Sequence, residues 1–208
     1  MAFYAKKSGA NSLPVLDEGF HRAVCQAVID IGTQTNERFG TKARELIIIF
    51  ELPDERLSRV SRDGKVMDLP RVTSKKYRCS LHEKSTLAKD LKSWLGRSFT
   101  KQEEDEKGFD LSSLLNKNCM LQILHKERDG KTYANIATII PSFPNLAKVE
   151  AENDVKYFCF ADHRDQIPEG LPEWIVNLIK TSEEWQMLNS SDDAAHDDYV
   201  VEEADAPF

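Results

Sequence analysis

The chain has 208 residues, 40% of them hydrophobic, which is enough for one ordinary domain with a core and short appendages. No apolar run is long enough to span a membrane, and no apolar segment follows Lys6 and Lys7 as an export signal would require. We therefore expect a soluble, cytoplasmic protein with no membrane partner. The four cysteines never form a Cys-x-x-Cys pair, so the sequence suggests neither a zinc ribbon nor a disulfide framework, and we expect no metal or cofactor.

The net charge of −7 is concentrated near the end of the sequence. Seven of the 35 acidic residues lie within residues 190–208, which contain no Lys or Arg, so the first 189 residues carry equal numbers of bases and acids. A segment this acidic, with so few large apolar side chains, cannot bury enough surface to offset its ordering entropy. We therefore predict a disordered acidic tail over 190–208, attached to a less acidic body.

Three segments rich in β-branched, aromatic and alternating residues predict long strands at 20–31, 43–52 and 72–82. The apolar period then changes to that of a helix at 85–95, which Ser85 would cap and Gly96 would end. On this helix Trp94 follows the apolar stripe and is predicted to be a core residue.

A helical turn at 110–115 precedes two further predicted strands, at 119–127 and 131–140. Asp129 and Gly130 join them, a pair typical of a two-residue hairpin turn. Beyond these strands, 156–161 could add an edge strand. The apolar period over 172–188 predicts one amphipathic helix that would pack on the domain or pair two copies of the chain into a homodimer.

Three strands, a helix and a two-stranded hairpin follow one another in the order of the OB-fold, a five-stranded Greek-key barrel that binds oligonucleotides. We therefore predict a mainly β protein of three parts. Residues 1–145 would form the OB-fold domain, 146–189 a helical extension, and 190–208 the acidic tail.

The sequence ends in Asp205-Ala206-Pro207-Phe208. Here it resembles the bacterial single-stranded-DNA-binding proteins, whose acidic tails end Asp-x-Pro-Phe and dock on proteins of replication, recombination and repair. Asp205, Pro207 and Phe208 match that pattern, while Ala206 stands where the bacterial tail has a larger aliphatic residue. The resemblance implies that these three residues bind such partner proteins.

The body is similar to a family of tailed-phage replication proteins thought to bind single-stranded DNA. The similarity spans roughly residues 15–145 and is carried by AVIDIGTQ at 27–34, FELP at 50–53, SLHEK at 80–84 and WLGR at 94–97. It implies a largely sequence-nonspecific DNA-binding protein that acts in phage DNA replication, recombination or repair.

Nonspecific binding of a single strand requires cations that follow the phosphates and rings on which bases stack. Alternation places Lys76 and Arg78 on one face of the third strand, which makes them the leading phosphate contacts, and Tyr77 on the core side. Phe39, in the first loop, is the preferred stacking ring. The full set of predicted DNA-binding residues is Arg38, Phe39, Lys42, Arg44, Lys75, Lys76, Arg78, Arg97, Phe99, Lys126, Arg128, Lys131 and Tyr133.

Two other classes of function remain open. A protein-interaction module could use its acidic end to mimic DNA and inhibit a host nucleic-acid enzyme. A metal-dependent nuclease could be built from His82-Glu83 together with Glu51, Asp54 and Glu55. An acidic turn after a strand is far commoner than such a site, and the sequence contains no phosphate-binding glycine loop, G-x-S-x-G or H-E-x-x-H motif. We therefore predict a binding protein and not an enzyme.

Overall fold

A computed structural model describes residues 14–37, 39–60 and 63–192. Five long strands and five helices dominate this part of the chain. The strands are β1 (Gly19–Asn36), β2 (Thr41–Val60), β3 (Val66–Arg78), β4 (Asn118–Arg128) and β5 (Lys131–Pro141), followed by a short sixth strand, β6 (Lys156–Phe158). The helices are α1 (Thr86–Leu95), α2 (Lys101–Asp105), α3 (Phe160–His163), α4 (Glu173–Lys180) and α5 (Glu183–Asp192), and a 3₁₀ turn spans Leu111–Leu114.

The long strands form one antiparallel sheet in the order β3-β2-β1-β4-β5. Residues 19–24 of β1 pair with β4, and residues 27–29 pair in parallel with β6. Among the described residues the strand path is open, with β3 and β5 at its two ends. The mainly β class and the order of three strands, helix and hairpin are confirmed.

The local signals for α1 and the hairpin are confirmed in detail. The Ser85 side chain accepts a hydrogen bond from the backbone N–H of Ala88, and Gly96 ends the helix in the left-handed conformation at φ +64°. Asp129 and Gly130 connect β4 to β5 with φ of +52° and +69°, as expected for the turn that matches the twist of a two-residue hairpin.

One face of the sheet and α1 enclose the first hydrophobic core, here called the inner core. Alternate residues of the strands enter it, so Leu46, Ile48 and Phe50 of β2 are buried there. Trp94 of α1 packs on Phe50 with ring centroids 5.5 Å apart and donates its indole N–H to the carbonyl of Asn118. Tyr77 is also buried in this core, so the predicted core positions of Trp94 and Tyr77 are confirmed.

The opposite face of β1 and β2 carries a second hydrophobic core, here called the outer core. The C-terminal extension covers this face, with Phe158, Phe160, Ile175 and Ile179 packed on Ala27, Ile29, Ile31, Ile47 and Ile49. The extension therefore packs on its own sheet, one of the two positions predicted for it. Burial on both faces explains the unbroken apolar run at 46–50, since a strand with one solvated face would alternate.

Two predictions for this extension are wrong in detail. The segment at 156–161 does add a strand, which pairs with β1 alone, but this strand covers only Lys156–Phe158 before the chain turns into α3. The single helix at 172–188 is two helices, α4 and α5, separated at Ser182. Ser182 is fully buried, donates its hydroxyl to the carbonyl of Ile179 and accepts the N–H of Trp185, so its side chain satisfies backbone groups at the break.

Among the described residues, no helix combines the length and apolar character needed to cross a membrane.

Candidate nucleic-acid interface

The outer side of the β4–β5 hairpin combines rings and cations. Leu121 and Ile123 of β4 face the inner core, so strand alternation places Leu124, Lys126 and Arg128 on the opposite face. The register places Lys126 opposite Tyr133 and Arg128 opposite Lys131. Directly opposed residues of an antiparallel pair lie on the same face. Tyr133 and Leu124 are 48% and 44% exposed, so a ring and an aliphatic side chain lie open to solvent among three cations.

Phe20 extends this surface onto β1. It pairs with Gln122 of β4, two residues before Leu124, and it is 51% exposed. We define the hairpin face as Phe20, Leu124, Lys126, Arg128, Lys131 and Tyr133. The sequence analysis did not identify Phe20 as a candidate. The alternation along β1 carries the signal, since Ala23 and Cys25 face the inner core and Phe20 therefore lies on the opposite face of the strand.

The cations of the hairpin face lack strong carboxylate partners. Lys126 and Lys131 form no ion pair with any residue in the described part of the chain, and Arg128 forms one with its neighbour Asp129 at 3.5 Å, where both side chains are more than 80% exposed. A cleft of about 620 Å³ lies beside them, lined in part by Tyr133 and Asn135. The exposed ion pair between Arg128 and Asp129 contributes little to stability. All three cations can therefore bind an external anion without losing a stable contact.

Most other predicted cations are held by carboxylates. Lys42 binds Glu183 of α5, Arg44 binds Asp30 at 2.5 Å, and Lys76 binds Glu45 of the neighbouring strand at 2.7 Å. The Arg97 guanidinium donates two 2.8 Å hydrogen bonds to Glu103. Those bonds, together with the backbone N–H of Thr100, lower the pKa of Glu103 to about 2.

Lys75 has a structural partner inside the fold. Its ammonium lies 2.7 Å from Asp90 of α1, and the hydroxyl of Tyr77 donates to the same carboxylate oxygen at 2.8 Å. Burial, followed by the nearby Asp90 charge, raises the pKa of Tyr77. Lys75 therefore lies on the inner side of β3, while Lys76 lies on the outer side.

The remaining predicted residues lie in different surroundings. Arg78 is exposed and forms no ion pair with a described residue. Phe39 is 68% exposed in the turn between β1 and β2. Phe99 is buried, 5.9 Å from the ring of Phe109, with the ammonium of Lys92 over its face. Arg38, Asp205, Pro207 and Phe208 lie outside the described residues.

Three of the four carboxylates of the nuclease alternative have structural partners, and Glu83 is exposed. Glu51 is fully buried and accepts the backbone N–H groups of Glu152 and Asn153 at 2.6 and 3.0 Å. Asp54 accepts two 2.6 Å hydrogen bonds from Arg22, and Glu55 lies 2.7 Å from His21. These contacts tie β2 to the loop at 151–154 and to β1.

No family model matches this sequence, and a search of curated proteins finds no matching relative.

Proposed function

We propose that this protein binds single-stranded DNA, largely independently of sequence, through the hairpin face. The observation that carries the proposal is the position of two exposed rings, Phe20 and Tyr133, on the same face as three cations that have no strong carboxylate partner. Stacking on an aromatic ring contributes about 1 to 3 kcal/mol per base and accepts any base. Lys126, Arg128 and Lys131 would neutralise the phosphates between stacked bases.

Ion pairing separates this surface from most of the other predicted cations, although the exposed Arg78 of β3 also forms no ion pair with a described residue. A phosphate that approached Lys76 or Arg97 would compete with Glu45 or Glu103 for the same donors. The negative charge of that carboxylate would also repel the phosphate. A phosphate at Lys126 or Lys131 meets no such competitor among the described residues, so the hairpin face offers the larger net gain.

The OB-fold remains part of the proposal. The strand order β3-β2-β1-β4-β5 is the order of an OB barrel opened between β3 and β5, and α1 lies in the connection from β3 to β4. Such a barrel would bind DNA during phage replication, recombination or repair. Asp205, Pro207 and Phe208 would recruit partner proteins, as the resemblance of the tail implies.

The test is fluorescence anisotropy of labelled poly-dT, a matched duplex and a matched RNA over a salt series. We expect salt-sensitive binding to poly-dT that is stronger than binding to duplex. The double variant Lys126→Ala and Lys131→Ala should weaken binding and reduce the slope of log affinity against log salt by about 1.4, because each phosphate contact on a single strand contributes about 0.7.

A matched control removes the same charge elsewhere. Lys89 of α1 and Lys180 of α4 are exposed and form no ion pair with a described residue, so Lys89→Ala with Lys180→Ala should leave the slope almost unchanged. Equal effects of the two double variants would reject the hairpin face and indicate binding by overall charge. If the wild-type protein shows no preference for single strands at low salt, the protein-interaction alternative is favoured.

A further inference from the structure

Three potential metal ligands of different chemistry converge at α3. Cys159 precedes the helix, and Asp162 and His163 follow at i+3 and i+4, so one helical turn brings the three side chains to one side. One ligand atom from each lies within 4.8 Å of the others, and Cys159 Sγ lies 3.0 Å from Asp162 Oδ2. We propose that Cys159, Asp162 and His163 bind a divalent cation of the zinc class.

The spacing suits such an ion. Zinc binds thiolate sulfur at about 2.3 Å and nitrogen or oxygen at about 2.0 Å, so neighbouring ligand atoms of a tetrahedral site lie about 3.5 Å apart. The separation of Cys159 Sγ and Asp162 Oδ2 is 3.0 Å, and all three ligand atoms lie within 4.8 Å of one another, so they are close enough to share one ion. Three protein ligands leave a fourth position for water or another external ligand.

The surroundings hold the imidazole in place. The His163 ring packs edge-on against Tyr157, with centroids 5.6 Å apart, and lies 5.8 Å from the ring of Phe158. Its Nδ1 lies 3.3 Å from both the backbone nitrogen and the carbonyl oxygen of Cys159. Contacts of this kind orient the ring of a ligating histidine. Phe158 is fully buried in the outer core, so the site is anchored to a rigid part of the fold.

The proton balance is simple. Without metal, the Cys159 thiol donates its hydrogen to the Asp162 carboxylate. A divalent cation replaces that proton, which passes to solvent, and the resulting thiolate and the carboxylate then share the cation. A soft sulfur, an imidazole and a carboxylate together favour zinc or cobalt over magnesium or calcium.

The test is titration of the full chain with Co²⁺ under a non-chelating reductant, followed by absorption spectroscopy. We expect one equivalent of Co²⁺ to produce thiolate-to-metal charge-transfer absorption, and one equivalent of Zn²⁺ to abolish it. Cys159→Ser should remove the charge-transfer band, and His163→Ala should weaken Co²⁺ binding at least tenfold. Both variants are first shown by circular dichroism to be folded.

Two control variants keep the outcome specific. Cys79→Ser removes the exposed thiol outside the cluster, and Asp165→Asn removes a nearby acid outside the cluster. Both variants should retain the band at full intensity. The proposal is overturned if the folded wild-type chain shows no charge-transfer band, or if the band depends on Cys79 and survives Cys159→Ser. The site lies outside the hairpin face, so either result leaves the DNA-binding proposal untouched.

Discussion

Glu184 of α5 accepts two hydrogen bonds from Thr33 of β1, one from the backbone N–H at 2.6 Å and one from the hydroxyl at 2.8 Å. The two residues are separated by 151 positions in the sequence. This contact fixes α5 against the sheet at the point where β1 bends, next to Gly32. Together with the outer core, it makes the C-terminal extension part of the same folded unit as the sheet.

Gly32 permits this close approach, and we predict that Gly32→Ala will release α5. Gly32 has a φ of +69°, and a Cβ there would lie 2.6 Å from both Ser182 Cβ and Glu184 Oε2. The variant should lose about 1 kcal/mol to backbone strain and roughly 1 to 3 kcal/mol more to the clash. Chemical denaturation gives the total loss, and hydrogen exchange over 173–192 locates it.

Gly40→Ala is the matched control for this variant. Gly40 has a similar φ of +61°, but a Cβ there would meet nothing within 4 Å. This variant should lose only the strain contribution and retain protection over 173–192. Equal losses in the two variants would show that the packing of Ser182 and Glu184 on Gly32 contributes nothing.

The Thr33–Glu184 contact should also be sensitive to pH. Burial alone would raise the pKa of Glu184, but the hydrogen bonds from Thr33 and from the backbone of Glu184, together with the Arg44 charge, outweigh burial, and the pKa lies below its ordinary value. A carboxyl group with a lowered pKa stabilises the folded state above its unfolded pKa, about 4.3, and loses that contribution as the pH falls through the folded value.

Comparison of wild type with Glu184→Gln tests this dependence. The variant should be less stable at pH 7, and the difference in unfolding free energy should be constant down to about pH 5 and then shrink. Denaturant titrations at several pH values measure it. A difference that stays constant down to pH 3 would mean that the Glu184 charge does not contribute.

Asp90 should be a large contributor to stability within the inner core. Its carboxylate binds both Lys75 and Tyr77, and its side chain is 12% exposed. Asp90→Asn leaves the Lys75 ammonium without a counter-charge in a partly buried position, which should cost about 2 to 3 kcal/mol. The exposed Asp68, which binds Arg56, is the control, and Asp68→Asn should cost less than about 1 kcal/mol. Thermal unfolding of both variants distinguishes them, and similar losses would contradict the structural role of Lys75.

Local signals account for the part of the fold that the sequence predicts. The strands, the capped α1 and the Asp129-Gly130 hairpin depend on periods and caps within a few residues. The packing of α5 against β1 depends instead on the contact between Thr33 and Glu184, which are 151 positions apart, and no local pattern contains it. The five consecutive apolar residues at 46–50 do carry a signal for the outer core, because only a strand covered on both faces needs them.

The candidate site also depends on contacts between residues that are distant in the sequence, and these cannot be predicted from local patterns. The sequence identifies cations but not their partners, and a partner decides whether a cation is available. Lys42 binds a glutamate 141 residues away, and Lys76 binds one across the strand register. The sequence ranks Lys76 above Lys126 and Lys131 as a phosphate contact, whereas the structure shows no ion pair for Lys126 and Lys131 among the described residues.

Our last prediction concerns the rings of the hairpin face. Tyr133→Ala and Phe20→Ala should each weaken poly-dT binding by roughly 1 to 3 kcal/mol if a base stacks on the ring. Because stacking involves no phosphate, the salt slope should stay the same while the affinity falls, in contrast to the lysine variants.

Trp174 of α4 is 49% exposed, close to the 48% of Tyr133, and lies on the C-terminal extension, so Trp174→Ala is the matched control. Anisotropy at one low and one higher salt concentration measures both quantities. If Trp174→Ala weakens binding as much as Tyr133→Ala, the strand does not follow the hairpin face, and the interface must be sought on the extension.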